Sequence, residues 1–155
     1  MIALSVRQPW AEAIVLGLKT IEVRTWVPFS IRLPRRIAIH AGKAVPRSWP
    51  PSVDAAMKRV GDRYGCIVGV ATLIDVRRFA DRTDFENAAS QHLNPLAWWQ
   101  PGLCAWQFGQ AMRFEEPIPC RGMQGLFELA DQEAQVVIAA IAGLRAPQER
   151  SNNED

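Results

Sequence analysis

Over residues 9–16 the apolar positions recur every three to four residues, with Trp10, Ala13, Ile14 and Gly17 on one stripe. That spacing predicts a short helix with one packed face. Proline at the first helical position loses no hydrogen bond, and Gly17 suits the left-handed cap that ends the helix. From residue 19 the period drops to two. Ile21 and Val23 alternate with Thr20, Glu22, Arg24 and Trp26, which predicts a strand over 19–26 with one apolar and one mixed face. Residues 35–40 read as a second strand closed by Ala41-Gly42-Lys43, and 46–60 as a helix opened by Pro50-Pro51. Residues 66–76, rich in Val, Ile and Thr, form the clearest strand, whose central Gly69 predicts a bulge or a close backbone approach.

Residues 78–102 follow as a long irregular stretch, which in a compact domain is functional or partly helical. Residues 103–108, 113–114 and 125–129 are strand-like. Asp131 is a good N-cap for a last helix to about residue 145. Its centre is apolar almost all round, so the domain or a partner must cover it. Residues 146–155 are polar and are expected to be a disordered tail. Several unevenly spaced strands with a few helices predict one α+β domain over 1–145, a small β-barrel flanked by short helices.

Length and composition agree with one domain. The chain has 155 residues, 48% hydrophobic and 22% charged; at this size roughly 68–70% of the unfolded surface is buried, enough for a core without disulfides. No apolar run approaches the ~18–20 residues that cross a bilayer, and residues 1–7 lack the features of a secretory signal. Three widely spaced cysteines and two distant histidines, His40 and His92, argue against a disulfide framework and against a metal centre, and a reducing cytoplasm is expected. Charge is segregated. Residues 19–63 hold ten basic and three acidic side chains, a net of +7, whereas 114–155 hold three basic and eight acidic, a net of −5. Such a field suits an anionic partner such as nucleic acid, although a solvated surface with chance segregation fits as well.

The candidate chemistry sits in the segment Gly17-Leu18-Lys19-Thr20-Ile21-Glu22-Val23-Arg24. On a strand Thr20, Glu22 and Arg24 share one face at steps of about 6.6–6.8 Å, with Lys19 at its mouth. An exposed Glu22–Arg24 pair would be worth under ~1 kcal/mol and need mean nothing. Trp26 continuing that face points instead to the wall of a wet pocket.

Gly17, Lys19, Glu22 and Arg24 form the pattern G-x-K-x-x-E-x-R, and with it the chain resembles the ASCH domain family of the PUA-like β-barrel superfamily. The opening Leu4-Ser5-Val6-Arg7-Gln8-Pro9-Trp10-Ala11 and the closing 117–127 stretch resemble one branch of that family, so the likeness spans residues 3–130. It implies a small barrel with a cleft beside the signature strand, binding RNA or DNA, RNA foremost. Arg7, Lys19, Arg24, Lys43 and Arg121 are then candidates for phosphate, Trp10 or Trp26 for stacking on an unstacked base, and Glu22 for a base edge, unless it only orients Lys19 or Arg24. Gln8, before a helix N-terminus, and His40, at a strand end, join as candidate contacts. Some small relatives are amidohydrolases of N4-acetylcytidine, in which the signature lysine acts with a threonine three residues on. Here that position holds Glu22, with Thr20 on the same face. The enzyme alternative is therefore a hydrolase of a modified nucleoside or of RNA, with Lys19 and Glu22 as acid and base and Thr20 beside them. A third alternative is a transcription-coregulator type of protein-interaction module. No cofactor is expected, and the chain is read as a monomer or weak dimer. Trp98, Trp99 and Trp106 are read as core or loop anchors, and Cys120 as a buried thiol.

Overall fold

The computed structural model describes residues 1–145; the expected tail at 146–155 lies outside them. Six strands form one strongly curled sheet in the order β2-β5-β4-β3-β1-β6. They run β1 (Ile2–Val6), β2 (Ile21–Arg24), β3 (Arg35–Ala41), β4 (Cys66–Arg78), β5 (Cys104–Pro119) and β6 (Leu126–Glu128). Only β1 and β3 pair in parallel; every other pairing is antiparallel. The sheet is a half-barrel and the fold is α+β, as the patterning predicts.

The two faces of β3 show why the sheet needs cover on both sides. Ile37 and Ile39 point into the concave core with Leu4, Ile14, Val15, Trp106 and Phe108. Ala38, one residue out of phase, joins Ile67, Val70, Phe114 and Phe127 on the other face. Helix α1 (Trp10–Val15) fills the concavity, and the last helix, α5 (Asp131–Arg145), covers the opposite face with Val137 and Ile141. The domain thus covers one stripe of α5, while Val136, Ile138 and Leu144 remain exposed.

Several elements depart from the sequence reading. The apolar N-terminus forms β1, a strand the pattern did not reveal. The pieces expected at 103–108 and 113–114 are one strand, β5; Gly109 and Gln110 break its alternation, and Gln110 takes a positive φ of 49°. The helix expected at 46–60 is a 3-10 turn at Pro51–Val53 followed by α2 (Asp54–Val60). The stretch 78–102 holds α3 (Arg82–Asn87), α4 (Ala89–His92) and a 3-10 turn at Leu96–Trp98. Gly69 meets both expectations. The β4–β5 register shifts beside it, and a Cβ there would lie 2.1 Å from the Met112 carbonyl and 2.9 Å from Val15, so only glycine lets α1 and β5 approach β4 this closely.

A buried ionic cluster fixes α1 against the sheet. Glu12, fully buried, accepts from Arg113 on β5, and Arg63 Nε lies 3.3 Å from Glu12 Oε2. Arg63 also donates to the carbonyls of Val68, Phe114 and Glu115. Gln8 completes the cluster: its Nε2 donates to the Arg63 carbonyl at 2.9 Å and its Oε1 accepts from the Glu12 amide at 2.9 Å. No helix among the described residues is long and apolar enough to cross a membrane. Replacing Glu12 with alanine leaves two guanidinium groups facing each other without their shared carboxylate. A destabilisation of about 3–5 kcal/mol in urea unfolding is expected, whereas a loss below about 1 kcal/mol would mean that the cluster does not anchor α1.

Candidate functional site

The site begins where α1 ends. Gly17 adopts φ +76°, and the amides of Leu18 and Lys19 both donate to the Ala13 carbonyl at 2.9 and 3.0 Å. This reversal turns the chain from helix into strand and drives the Lys19 side chain inward, where the residue is only 1% exposed. Its ammonium donates to the His92 carbonyl and lies 3.4 Å from Asn94 Oδ1 and 3.6 Å from Glu22 Oε1. Two hydrogen-bond acceptors and a carboxylate counter-charge surround it, the condition under which an ammonium can be buried at all.

Glu22 continues the network. Its Oε1 accepts from the Val23 amide at 3.0 Å and its Oε2 from Arg24 Nη2 at 3.1 Å. Arg24 Nη2 also donates to the Ser5 carbonyl at 2.8 Å, tying β2 to β1 across the open mouth of the sheet. Glu22 and Arg24 both border a cavity of about 480 Å³, within the range of small-molecule sites. The opposite wall is aromatic: Trp10 from α1 and Trp98 from the 3-10 turn, their rings 5.6 Å apart and tilted by 38°. Phe85, Asn94, Arg7 and Gln124 also line it.

The segment 78–102 therefore contributes Phe85, Asn94 and Trp98 to the cavity. Its centre is His92, fully buried and stacked on Phe85 at 4.2 Å. His92 Nε2 donates to the Phe85 carbonyl at 2.8 Å, and Nδ1 accepts from the Asn94 amide at 2.9 Å. Those partners define a neutral imidazole, and burial holds its pKa below the usual histidine value. A neutral ring is what the neighbouring ammonium requires.

Of the ten residues expected at a nucleic-acid site, Arg7, Trp10, Glu22 and Arg24 line the cavity. Lys19 stands behind Glu22 instead of at the strand's mouth, with no exposed donor to offer a phosphate. Gln8 has both ends of its amide engaged in the Glu12 cluster. Trp26 falls beyond the end of β2, so it leaves the expected face and packs edge-on against Trp106 at 4.7 Å, its carbonyl accepting from Trp106 Nε1. His40 is buried between Ser5 Oγ at 3.1 Å and the Cys120 carbonyl at 2.9 Å, with burial lowering its pKa. Lys43 and Arg121 are exposed and outside the lining. Thr20 contributes its backbone, donating to the Gln91 carbonyl and accepting from the Phe108 amide, and its side chain does not reach the cavity. The sequence reading missed Asn94 and Gln124, and it took Trp98 for an anchor; its 53% exposure marks it as a rim residue. Cys120 is a buried thiol, its pKa pushed up to about 12 chiefly by desolvation. Among the described residues no cluster of three or more His, Cys, Asp or Glu side chains is placed to hold a metal ion.

A curled α+β half-barrel sheet with short helices and a C-terminal helix is the architecture of a PUA-like domain. The chain belongs to the ASCH domain family, whose sequence pattern matches residues 4–139. Its fold is similar to the crystal structure of ASCH from Zymomonas mobilis, with a TM-score of 0.65 at 19% identity, covering 89% of this chain and 93% of that one. Crystal structures of two single-residue variants of the Zymomonas mobilis protein give TM-scores of 0.63 and 0.64, again at 19% identity and 89% of this chain, covering 94% and 96% of theirs. No curated protein matches the sequence.

Burial lowers the Lys19 pKa to about 8, an effect that Glu22 opposes and only partly offsets. The unfolded chain, with lysine near its ordinary 10.5, binds the proton that the folded state has lost between pH 8 and 10.5. Stability from this group therefore rises with pH across that window and is lost as pH falls through about 8. Comparison with Lys19→Met isolates the contribution from other titrating groups: urea unfolding of the wild type should gain roughly 2–3 kcal/mol on the variant between pH 7 and pH 10. A difference that does not change with pH would show that the ammonium is not desolvated.

Proposed function

We propose that this ASCH domain is a nucleic-acid-binding module, for RNA before DNA, that accepts one unstacked nucleotide in the cavity between β2 and the Trp10–Trp98 wall. The observation that carries this reading is the pairing of a charged edge with an aromatic wall across one nucleotide-sized space. Glu22 Oε2 uses one lone pair on Arg24, and the carboxylate borders the cavity. It can therefore accept from an exocyclic amine of a base, while the Arg24 guanidinium beside it supplies donors. Trp98 offers an exposed ring for stacking, an interaction open to any base. Asn94 Oδ1 faces Lys19, which leaves its amide N–H groups for a ribose hydroxyl, the group that distinguishes RNA from DNA. Arg7, exposed at the cavity rim, is placed for phosphate. Lys43 and Arg121 add longer-range attraction.

The lowered Lys19 pKa favours a second reading, hydrolysis of a modified nucleoside such as an N4-acylated cytidine. With its pKa lowered to about 8, Lys19 can hold or release a proton near neutral pH 3.6 Å from Glu22, and Glu22 is the member that meets the cavity. In that case Glu22 acts as general base on water and Lys19 positions it. Turnover separates the two readings. Incubation with N4-acetylcytidine should yield cytidine and acetate from the wild type and not from Glu22→Gln if the domain is an enzyme, and nothing from either if it only binds.

For the binding reading, single-stranded RNA should associate with an affinity that falls as salt rises, with a slope of about −0.7 per phosphate engaged. Trp98→Ala should weaken it by about 1–3 kcal/mol without altering the urea midpoint. Salt-independent binding, or an unchanged affinity in Trp98→Ala, would remove the cavity from the account and favour a protein partner.

A further inference from the structure

The Trp10–Trp98 pair is a partition, not an outer wall. Behind it lies a second cavity of about 380 Å³, bounded by the 44–48 loop and sharing Arg7, Trp10 and Trp98 with the first. The two differ in charge. The first contains the Glu22 carboxylate; the second has the guanidinium groups of Arg7 and Arg47 and no carboxylate among its lining residues. Its apolar surface comes from Trp98, Val45 and Pro46, with Val45 67% exposed. Trp10 Nε1, in the shared partition, is buried and has no acceptor among the described residues. Two cations and an exposed aromatic ring, with no acidic side chain, are suited to a phosphodiester and a neighbouring base.

We infer that the second cavity is a subsite for the adjoining nucleotide of a single-stranded RNA. The strand crosses the Trp10–Trp98 partition with one base on each side, its phosphodiester held by Arg7 and the next nucleotide by Arg47. Aromatic wedges between successive bases are a common device for holding unstacked strands. This rests on the first cavity taking a nucleotide, and it makes the ligand a polymer instead of a free nucleoside.

Calorimetric titration with the four ribonucleoside 3′-monophosphates and the four corresponding homodinucleotides tests it. The wild type should bind its preferred dinucleotide at least about tenfold more tightly than the matching mononucleotide. Arg47→Ala, and separately Val45→Asp, which sets a carboxylate in the subsite, should reduce that advantage to about twofold or less while mononucleotide affinity stays unchanged. Equal wild-type affinities for mono- and dinucleotide, or variants that weaken both alike, would overturn the subsite and leave the first cavity standing. Failure of the wild type to bind any of these ligands would overturn both.

Discussion

One buried ammonium holds the candidate site together. Lys19 Nζ reaches the His92 carbonyl, Asn94 and Glu22, and so joins the first helix-to-strand turn to the segment between β4 and β5. Both walls of the cavity depend on this link. Glu22 and Arg24 belong to the strand that Lys19 opens, and Phe85, Asn94 and Trp98 belong to the segment it grips. An ammonium with a missing acceptor would be expelled to solvent or would lose its proton. The segment must therefore keep its carbonyl and its asparagine where they are, and a stretch with only short helical turns acquires a defined position.

Two buried ionic clusters stand out among the described residues, and they contrast in how far they are enclosed. In the Glu12 cluster the carboxylate is enclosed by Arg63 and Arg113, and Arg63 directs its remaining donors to backbone carbonyls. Its three charged side chains line neither cavity, and its work is to fix α1. The Lys19–Glu22–Arg24 cluster has the same kinds of side chain with one side open. Arg24 is 21% exposed and Glu22 8% at the side chain, so hydrogen-bonding capacity that a scaffold would consume inside remains at the surface of a pocket. An incompletely enclosed charge network is held in place at a thermodynamic cost, and a ligand that completes it gains correspondingly.

How much of this was legible in the sequence follows from the range of each interaction. The Gly17 reversal, the alternation through Glu22 and Arg24 and the close approach at Gly69 are local or depend on one residue's steric character, and the pattern disclosed them. The role of Lys19 was half visible: its spacing from Glu22 marked a site, but its burial comes from His92 and Asn94, more than seventy residues on. Nothing in the irregular 78–102 stretch announces that it folds back over β2, so Trp98 resembled any loop aromatic. Trp26 and His40 show the same limit: each has a long-range partner that the local pattern does not announce, Trp106 edge-on for the exposed Trp26 ring and the Cys120 carbonyl for the buried His40.

The proposed function requires that the space between Glu22–Arg24 and the Trp10–Trp98 partition receive a base. A crystal structure of the domain with a short single-stranded RNA tests it most directly. One ordered base is expected in that space, its edge within hydrogen-bond distance of Glu22 and its ring against Trp98. An ordered RNA lying elsewhere, for instance along the basic start of β3 at Arg35 and Arg36, with the cavity vacant, would contradict it.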